Sequence, residues 1–353
     1  MGGCFYKHFV AVLKSSFLIK KSGVSMNKKL QLILFVLFTI LFCNQIKTNS
    51  MQKIDNLSDE WPGYAISYSG YREGQNPQKS IYPSQEQVKE DLKILEKNWR
   101  LIRVYGSDQH SSDVLEVIRR EKINLNVMLG IWIDGEPGHE AENLAQIQKG
   151  IELANQYKDI VVAVNMGNEI LVHWSDHKIQ EEKAIEYVRK VKQAVSVPVT
   201  VADDFLFWRE RGAKLAEEVD FVVMHTYPIW GGRDIDTGLE VTIEHYESVK
   251  KELPHKKIVI GEAGWATYTV GELHAPKAGD EGKQKIYFNQ LMNWAKENNV
   301  IVFFFEAFDE PWKGAGTEGH WGLFSEGRKA KPAMQELYPE LMPDGPTSPT
   351  YDK

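Results

Sequence analysis

The stretches VVAVNMGNE at residues 161–169 and KIVIGEAGW at residues 257–265 decide the fold of this chain and indicate its chemistry. Each begins as the apolar run of a buried strand and ends on a polar tip that carries one carboxylate, Glu169 or Glu262. A buried carboxylate is costly unless it is paired or used. A single glutamate of this kind can be explained as a strand-end charge that is paired with a Lys or Arg. Two such glutamates favour a carboxylate pair for acid–base or glycosidic chemistry.

Eight apolar runs of this kind alternate with helix-like segments along the chain. Runs rich in Val, Ile and Phe between helices are typical of a parallel sheet covered on its outside. Eight such strands close a (β/α)8 barrel, the α/β fold that we predict as a single catalytic domain. The structural alternative is a doubly wound open sheet, which typically has a glycine-rich phosphate loop after its first strand. The stretch SYSGY at residues 67–71 is not such a loop. The predicted strands are Tyr64–Tyr68, Leu101–Tyr105, Leu125–Ile133, Ile160–Val164, Val197–Val201, Phe221–Met224, Lys257–Ile260 and Ile301–Phe305.

Amphipathic stretches between these runs supply the predicted helices. The clearest begins with a capping box formed by Ser84 and Gln87, after which apolar residues recur at helical spacing. The other helical patterns are Ala141–Tyr157, Lys178–Ala194 and Gly282–Asn298.

Polar and charged side chains collect at the carboxyl ends of the predicted strands. In a (β/α)8 barrel these ends meet at one rim, where enzymes with this fold keep their active sites. No comparable cluster occurs at the strand starts, so the rim is the predicted site. The residues concerned are Arg103–Gly106, Asn168 and Glu169, Asp203 and Asp204, His225–Pro228, Glu262 and Trp265, and Glu306, Asp309 and Glu310.

Cleavage of a glycosidic bond needs one carboxylic acid that protonates the leaving oxygen and one carboxylate on the other side of the sugar. Strands four and seven face each other across a barrel mouth, so we predict Glu169 as the acid/base and Glu262 as the nucleophile. Asn168 is predicted to contact a sugar hydroxyl, and Tyr227 to donate to the Glu262 carboxylate. The predicted sugar-stacking residues are Trp230, Trp265 and Trp312.

Composition and motifs exclude several other functions. A net charge of −7 over 353 residues argues against nucleic-acid binding, which needs a basic face. The chain contains neither a P-loop nor a GxSxG elbow, and Cys4 and Cys43 both precede Ser50. His173 and His177 have the spacing of a shared helix face but lack the carboxylate arrangement of a zinc protease, and we interpret them as a surface pair. We therefore predict no cofactor and no metal.

The N-terminus has the pattern of a targeting segment. Lys28 and Lys29 precede an apolar run of about fourteen residues, which fits a signal peptide and is short for a membrane span. Cys43 at the end of this run suggests a lipoprotein, with plain secretion or an uncleaved anchor as alternatives, and translation could begin at Met26. We expect an exported protein that is secreted, periplasmic or lipid-anchored at the cell surface, with membrane attachment through this segment alone. The predicted division is a signal at 1–43, a polar linker at 44–60, the barrel at 61–340 and a tail at 341–353.

The motifs NMGNE and GEAGW resemble the retaining (β/α)8 glycoside hydrolases that carry catalytic glutamates on strands four and seven. Within that clan the chain is similar to glycoside hydrolase family 17, the β-1,3-glucanases, on its bacterial and fungal side. The resemblance implies Glu169 as acid/base, Glu262 as nucleophile, and Glu310 with Lys313 as supporting charges of the cleft. Ala266 departs from the family, which often has Pro there. Tyr71, Arg103 and Tyr105 lie in the stretches that carry this closer match, and we add them to the predicted substrate-binding residues. The stretches are YREGQNP at 71–77, IRVYG at 102–106, HTYP at 225–228 and FEAFDEPWK at 305–313.

The sequence therefore predicts a hydrolase of β-1,3-glucan whose partner is a polysaccharide or oligosaccharide. A transglycosylase that remodels or branches the same glucan would use the same two glutamates and stays an alternative. A non-catalytic glucan-binding surface protein would have no use for the pair. A different β-glycan specificity, for mannan or cellulose, also stays open.

Overall fold

Eight parallel strands close into a barrel in the computed structural model, which describes residues 64–270 and 277–343. Each strand pairs with the next along the chain, and the last pairs with the first. The (β/α)8 fold predicted from the sequence is therefore confirmed. The strands are β1 Tyr64–Ser67, β2 Trp99–Arg103, β3 Asn126–Ile131, β4 Val161–Asn168, β5 Val199–Asp204, β6 Val222–His225, β7 Ile258–Ala263 and β8 Val302–Phe304.

Helices follow the strands and cover the outside of the barrel. The predicted capping box is present, since the Ser84 hydroxyl accepts from the backbone of Gln87 while the Gln87 side chain accepts from the backbone of Ser84. The helix predicted from Lys178 begins instead at Glu181. The helices are α1 Gln85–Leu95, α2 Gln109–Glu121, α3 Glu140–Gln156, α4 Glu181–Ala194, α5 Phe205–Glu210, α6 Ala213–Glu218, α7 Ile235–Glu252 and α8 Glu281–Glu297.

The two strands that carry the glutamates are longer than the apolar pattern predicts. β4 runs to Asn168 rather than Val164, and β7 runs to Ala263 rather than Ile260. The polar tips end the apolar run, but their backbones continue the ladder: Asn168 is in register with Ala202 on β5. Backbone pairing does not depend on side-chain polarity, so the apolar run marks the buried part of a strand and not its end.

Two glycines let the GEAGW stretch fit against its neighbours. A Cβ on Gly261 would lie 2.2 Å from Val223 Cγ1, and one on Gly264 would lie 2.0 Å from the backbone oxygen of Phe305. Glycine is required where a neighbouring side chain or backbone approaches so closely. The motif thus brings β7 tightly against β6 and the end of β8, beside Glu262.

The core has two layers, as the fold requires. Small and large apolar side chains, among them Leu101, Ala163, Phe221 and Phe303, fill the inside of the barrel, and a larger cluster lies between the strands and the helices. Within the two described ranges, every helix is too short or too polar to cross a bilayer. The proposed signal at 1–43, the linker at 44–60 and the tail from residue 344 lie outside the described residues.

Candidate active site

Glu262 lies in β7 beside β6, where its backbone is in register with His225. The side chain is 5% exposed and its carboxylate accepts three hydrogen bonds. Arg103 Nη1 donates to Oε1 at 2.5 Å, Tyr105 donates to the same oxygen at 3.0 Å, and the Tyr227 hydroxyl donates to Oε2. The donation from Tyr227 was predicted from the sequence and is confirmed.

These partners hold Glu262 ionised although it is buried. Burial by itself would raise the pKa of a carboxyl group. The positive charges of His225 and Arg103, together with the hydrogen bonds from Tyr227 and Arg103, outweigh burial and lower the pKa of Glu262 to about 2. Hydrogen-bond donors thus keep this buried carboxylate charged and hold its oxygens in place. Such a group is suited to act as a nucleophile.

Glu169 occupies a turn directly after β4. Its φ of +50° is unusual for a residue with a side chain, and this conformation is held by a backbone hydrogen bond of 2.9 Å to the Ala202 carbonyl. Its side chain is 27% exposed, and one carboxylate oxygen lies 3.1 Å from His225 Nδ1. Oxygens of Glu169 and Glu262 lie within 4.8 Å of each other. The structure therefore brings the two predicted glutamates together, one buried and one open to solvent.

His225 connects the two carboxylates and was missed as a site residue by the sequence reasoning. Its ring is fully buried, with Nδ1 3.1 Å from Glu169 Oε1 and Nε2 3.7 Å from Glu262 Oε1. The HTYP stretch placed His225 at the predicted rim, yet only the register of β6 beside β7 shows that it reaches both glutamates. Its ring therefore binds the Glu169 carboxylate and lies close to that of Glu262.

Asp203, at the end of β5, stabilises the turn that carries Glu169. Its two oxygens accept from the backbone N–H groups of Leu171 at 2.8 Å and Asp204 at 2.9 Å. Burial, with the nearby charge of Glu169, raises the pKa of Asp203 well above its usual range. The Asp203 carboxyl group therefore supports the turn through these two backbone hydrogen bonds.

Arg103 was predicted to bind substrate, and the structure corrects this role. Its guanidinium is fully buried and donates to Glu262, to the Gly261 carbonyl and to Asn168 Oδ1. A side chain with no exposed surface cannot contact a sugar, so Arg103 acts through Glu262 and Asn168. Asn168 is partly exposed, which leaves its amide available for the predicted contact with a sugar hydroxyl.

A second group of charges lies at the end of β8. Lys313 Nζ contacts a carboxylate oxygen of Glu310, as the i, i+3 spacing predicts, and lies 3.5 Å from Glu306 Oε1. Burial and the charge of Glu310 raise the pKa of Glu306 well above its usual range. Burial opposes ionisation of Glu310 as well, but the Lys313 charge outweighs it and lowers the pKa of Glu310. In this cluster the surroundings favour the protonated form of Glu306 and the charged forms of Glu310 and Lys313.

We expect Glu310→Gln to reduce turnover without abolishing it. The substitution removes the charge that Lys313 and the Trp312 N–H bind, and hydrogen bonds to charged groups contribute about 1.5–3 kcal/mol, or roughly tenfold to a hundredfold in rate. Steady-state kinetics on laminarin, the substrate expected from the sequence, compared with Glu262→Gln, measures the difference. Equal inactivity of the two variants would show that Glu310 takes part in the chemistry.

The predicted aromatic residues divide into exposed and buried groups. Trp230 is 37% exposed and Trp312 is partly exposed, so both rings are available to a ligand. Trp265 is fully buried and its N–H donates to the Ala278 carbonyl at 2.8 Å, so the predicted sugar contact is wrong. Tyr71 is 3% exposed and packs 6.3 Å from the Trp312 ring, which makes it a support for Trp312 and not a direct contact.

The prediction for His173 and His177 was only partly right. Residues 169–180 form turns and bends, so the two histidines share no helix face. His173 is exposed, whereas His177 is half-buried with Nε2 2.8 Å from the Asn168 carbonyl. Two exposed tryptophans nearby, Trp132 and Trp174, were missed because an isolated aromatic residue in a loop has no periodic pattern.

Within the described residues, Glu169, His225 and Glu262 are the one group with the spacing of metal ligands. The buried guanidinium of Arg103 already contacts the Glu262 carboxylate, and a metal ion there would meet its charge at close range. The donor set therefore suits an acid–base pair better than a cation site.

Comparison with known proteins finds relatives that cover most of this chain. A family described as the BtgE/BtgC glycoside hydrolase domain matches residues 65–322. The chain is 27% identical to the glucan endo-1,3-beta-glucosidase btgC of Emericella nidulans over 319 residues, which are 83% of this chain and 48% of that protein. It thus spans about half the length of that relative.

Solved structures with the same barrel were also found. The endo-laminarinase from Formosa Hel1_33_131 is 30% identical, with a TM-score of 0.72 over 83% of this chain and 92% of that one. A β-1,3-glucanosyltransferase from Rhizomucor miehei is 24% identical, with a TM-score of 0.65 over 77% of this chain and 96% of that one, a likeness of fold.

Proposed function

The chain belongs to the BtgE/BtgC glycoside hydrolase family, and from this membership we propose that it hydrolyses β-1,3-glucan with retention of anomeric configuration. The observation that carries the proposal is the pair of carboxylates within 4.8 Å of each other, one buried and ionised, the other open to solvent. Retaining glycosidases place their carboxyl groups about 5–5.5 Å apart, whereas inverting enzymes leave room for a water between them at roughly 6.5–9.5 Å.

The first step assigns one task to each glutamate. Glu262 attacks the anomeric carbon of the bound sugar, while Glu169 gives its proton to the glycosidic oxygen as that bond breaks. The product is a glycosyl ester on Glu262 and a released sugar chain. Tyr227, Tyr105 and Arg103 keep the attacking oxygens ionised and oriented before the bond forms.

The second step returns both glutamates to their starting states. Glu169, now a carboxylate, removes a proton from water as the water attacks the anomeric carbon, and the ester bond to Glu262 breaks. The partial exposure of Glu169 suits this step because the water must reach it from solvent. Two inversions give overall retention.

The choice of β-1,3-glucan rests on the relatives whose names state that linkage. The Formosa protein is an endo-laminarinase, and the fungal relative is a glucan endo-1,3-beta-glucosidase.

The test is digestion of laminarin and linear β-1,3-oligosaccharides, with products separated by size and the first anomer identified by NMR. Shorter products with the β configuration support the proposal. Longer products would show transfer to sugar in place of water. Binding without products would show a non-catalytic protein, and cleavage of mannan or cellulose alone would show another specificity.

The acid limb of the pH profile should depend on Tyr227. Because the pKa of Glu262 is held near 2, the nucleophile stays charged throughout the moderately acidic range. In Tyr227→Phe a donor to the charged form is lost, the pKa of Glu262 rises, and the acid limb of kcat/KM should move up by roughly one pH unit. Tyr246→Phe, on α7, is the matched control. An unchanged limb in Tyr227→Phe would contradict this account of Glu262.

We also propose that the protein is exported, on the basis of its basic and apolar N-terminal segment. Intact-mass measurement of material from the native host should show loss of residues up to about Cys43, or a lipid on that cysteine. A cytosolic protein that keeps residues 26–43 would exclude export.

A further inference from the structure

Two exposed tryptophans lie in the loops that follow β3 and β4, and the second of these loops begins at Glu169. Trp132 directly follows β3 and is 37% exposed, and Trp174, in the segment after β4, is 48% exposed. Single exposed aromatic residues are common on protein surfaces. These two, however, belong to the two neighbouring loops at the end of the barrel that holds the candidate acid/base.

His177 connects this pair to the catalytic strand. Its Nε2 lies 2.8 Å from the Asn168 carbonyl, which can only accept, so Nε2 carries the proton and Nδ1 accepts from Ser175 at 3.3 Å. The same ring lies 4.8 Å from the ring of Trp132 with an interplanar angle of 32°. Trp132 is therefore packed on a histidine that is bound to the residue immediately before Glu169.

The two loops are also joined to each other through their backbones. Gly135 N–H donates to the His177 carbonyl at 3.0 Å, and a Cβ on Gly135 would lie 2.0 Å from the Lys178 carbonyl oxygen. The Ile179 N–H donates to the Ile170 carbonyl at 2.8 Å. These contacts fix the loops before any ligand arrives, and a rigid surface loses little entropy on binding.

The positions of the glutamates decide which part of the substrate would meet this surface. Glu262 contacts the anomeric carbon, so the sugar that is cleaved lies over β7. Glu169 contacts the oxygen of the leaving group, so the released chain begins at the end of β4, where the following loop and the loop after the neighbouring β3 carry Trp174 and Trp132. The faces of Trp132 and Trp174 are the exposed aromatic surfaces of those two loops.

We propose that Trp132 and Trp174 form a platform, here called the leaving-group platform, that binds the glucose units on the departing side of the scissile bond. This inference rests on the proposed function. Apolar faces of glucose rings pack on exposed aromatic rings, and His177 keeps Trp132 at a fixed position beside the acid/base. Occupation of the same surface by a second glucan after the first step would place an acceptor hydroxyl near Glu169, so the platform also sets the balance between transfer and hydrolysis.

The test compares two substrates that differ only on the departing side. Laminarihexaose can occupy the leaving-group platform, whereas 4-nitrophenyl β-laminaribioside presents only nitrophenol there. In Trp132→Ala and Trp174→Ala we expect kcat/KM on the hexaose to fall by about tenfold, the size of one aromatic stacking contact, with the aryl glycoside unchanged within about twofold. The ratio of transfer to hydrolysis products at high hexaose concentration should fall as well. Leu337→Ala, which removes a 52% exposed apolar side chain elsewhere, is the control.

A further variant tests whether the fixed position of Trp132, and not only its presence, matters for binding. His177→Ala keeps both tryptophans but removes the ring that packs against Trp132, and should lose part of the hexaose activity while Trp132→Phe retains most of it. Equal losses on both substrates, or none on either, would overturn the platform. Failure of the wild-type protein to cleave either substrate would instead overturn the proposed function. In that case the platform is tested by binding: the affinity for laminarihexaose is compared between Glu262→Gln and the double variant that also carries Trp132→Ala.

Discussion

Glu262→Gln is expected to lower turnover of laminarin by about 10⁴-fold or more, because no other group can form the covalent intermediate. Glutamine keeps the size of the side chain and one acceptor oxygen but cannot attack the anomeric carbon. The change also leaves the buried Arg103 charge without its partner, so some loss of stability is expected. Thermal unfolding must therefore be measured beside activity, with kinetics taken well below the transition.

The alanine variant gives a sharper test of the same role. In Glu262→Ala, azide can enter the space of the missing carboxylate and attack the activated sugar from that face. With an aryl laminaribioside we expect partial recovery of rate and an α-glycosyl azide, inverted with respect to the substrate. Glu247→Ala, an exposed glutamate on α7, should show neither the loss nor the rescue. A wild-type enzyme that releases the inverted anomer first would exclude Glu262 as nucleophile.

The fold and the glutamate pair could be predicted because both depend on local pattern. Apolar runs with one polar tip indicate strands that end at a rim, and eight of them limit the topology to a closed barrel. Glu310 and Lys313, which the family resemblance implies as supporting charges, are three residues apart and form the pair that this spacing allows. In each case the information lies within a few residues of sequence.

The roles of Arg103, Trp265 and His225 depend on which side chains of neighbouring strands and helices contact them. The sequence pattern does not predict these contacts. Arg103 ends β2 and Trp265 comes just after β7, as rim residues should, yet both are fully buried, Arg103 against Glu262 and Trp265 against α8. His225 reaches both carboxylates only because β6 is in register with β7 at Glu262. A pattern thus predicts which residues reach the rim, and packing decides which of them meet solvent.

Glu169→Gln should separate the two tasks of an acid/base residue. On laminarin the leaving sugar needs a proton, so activity should fall by about 10²- to 10⁴-fold. On 2,4-dinitrophenyl β-laminaribioside the leaving group needs none, so formation of the glycosyl-enzyme should continue while its hydrolysis, which needs Glu169 as base, becomes slow. A burst of dinitrophenol followed by a slow phase is the expected signal, and azide should speed the slow phase and give a β-glycosyl azide, opposite in configuration to the Glu262→Ala product.

Because Glu169 is 27% exposed and its turn is fixed by a backbone hydrogen bond to β5, the substitution should leave the barrel intact. Loss of activity on both substrates without a burst would mean that Glu169 acts at the first step in some way other than proton donation.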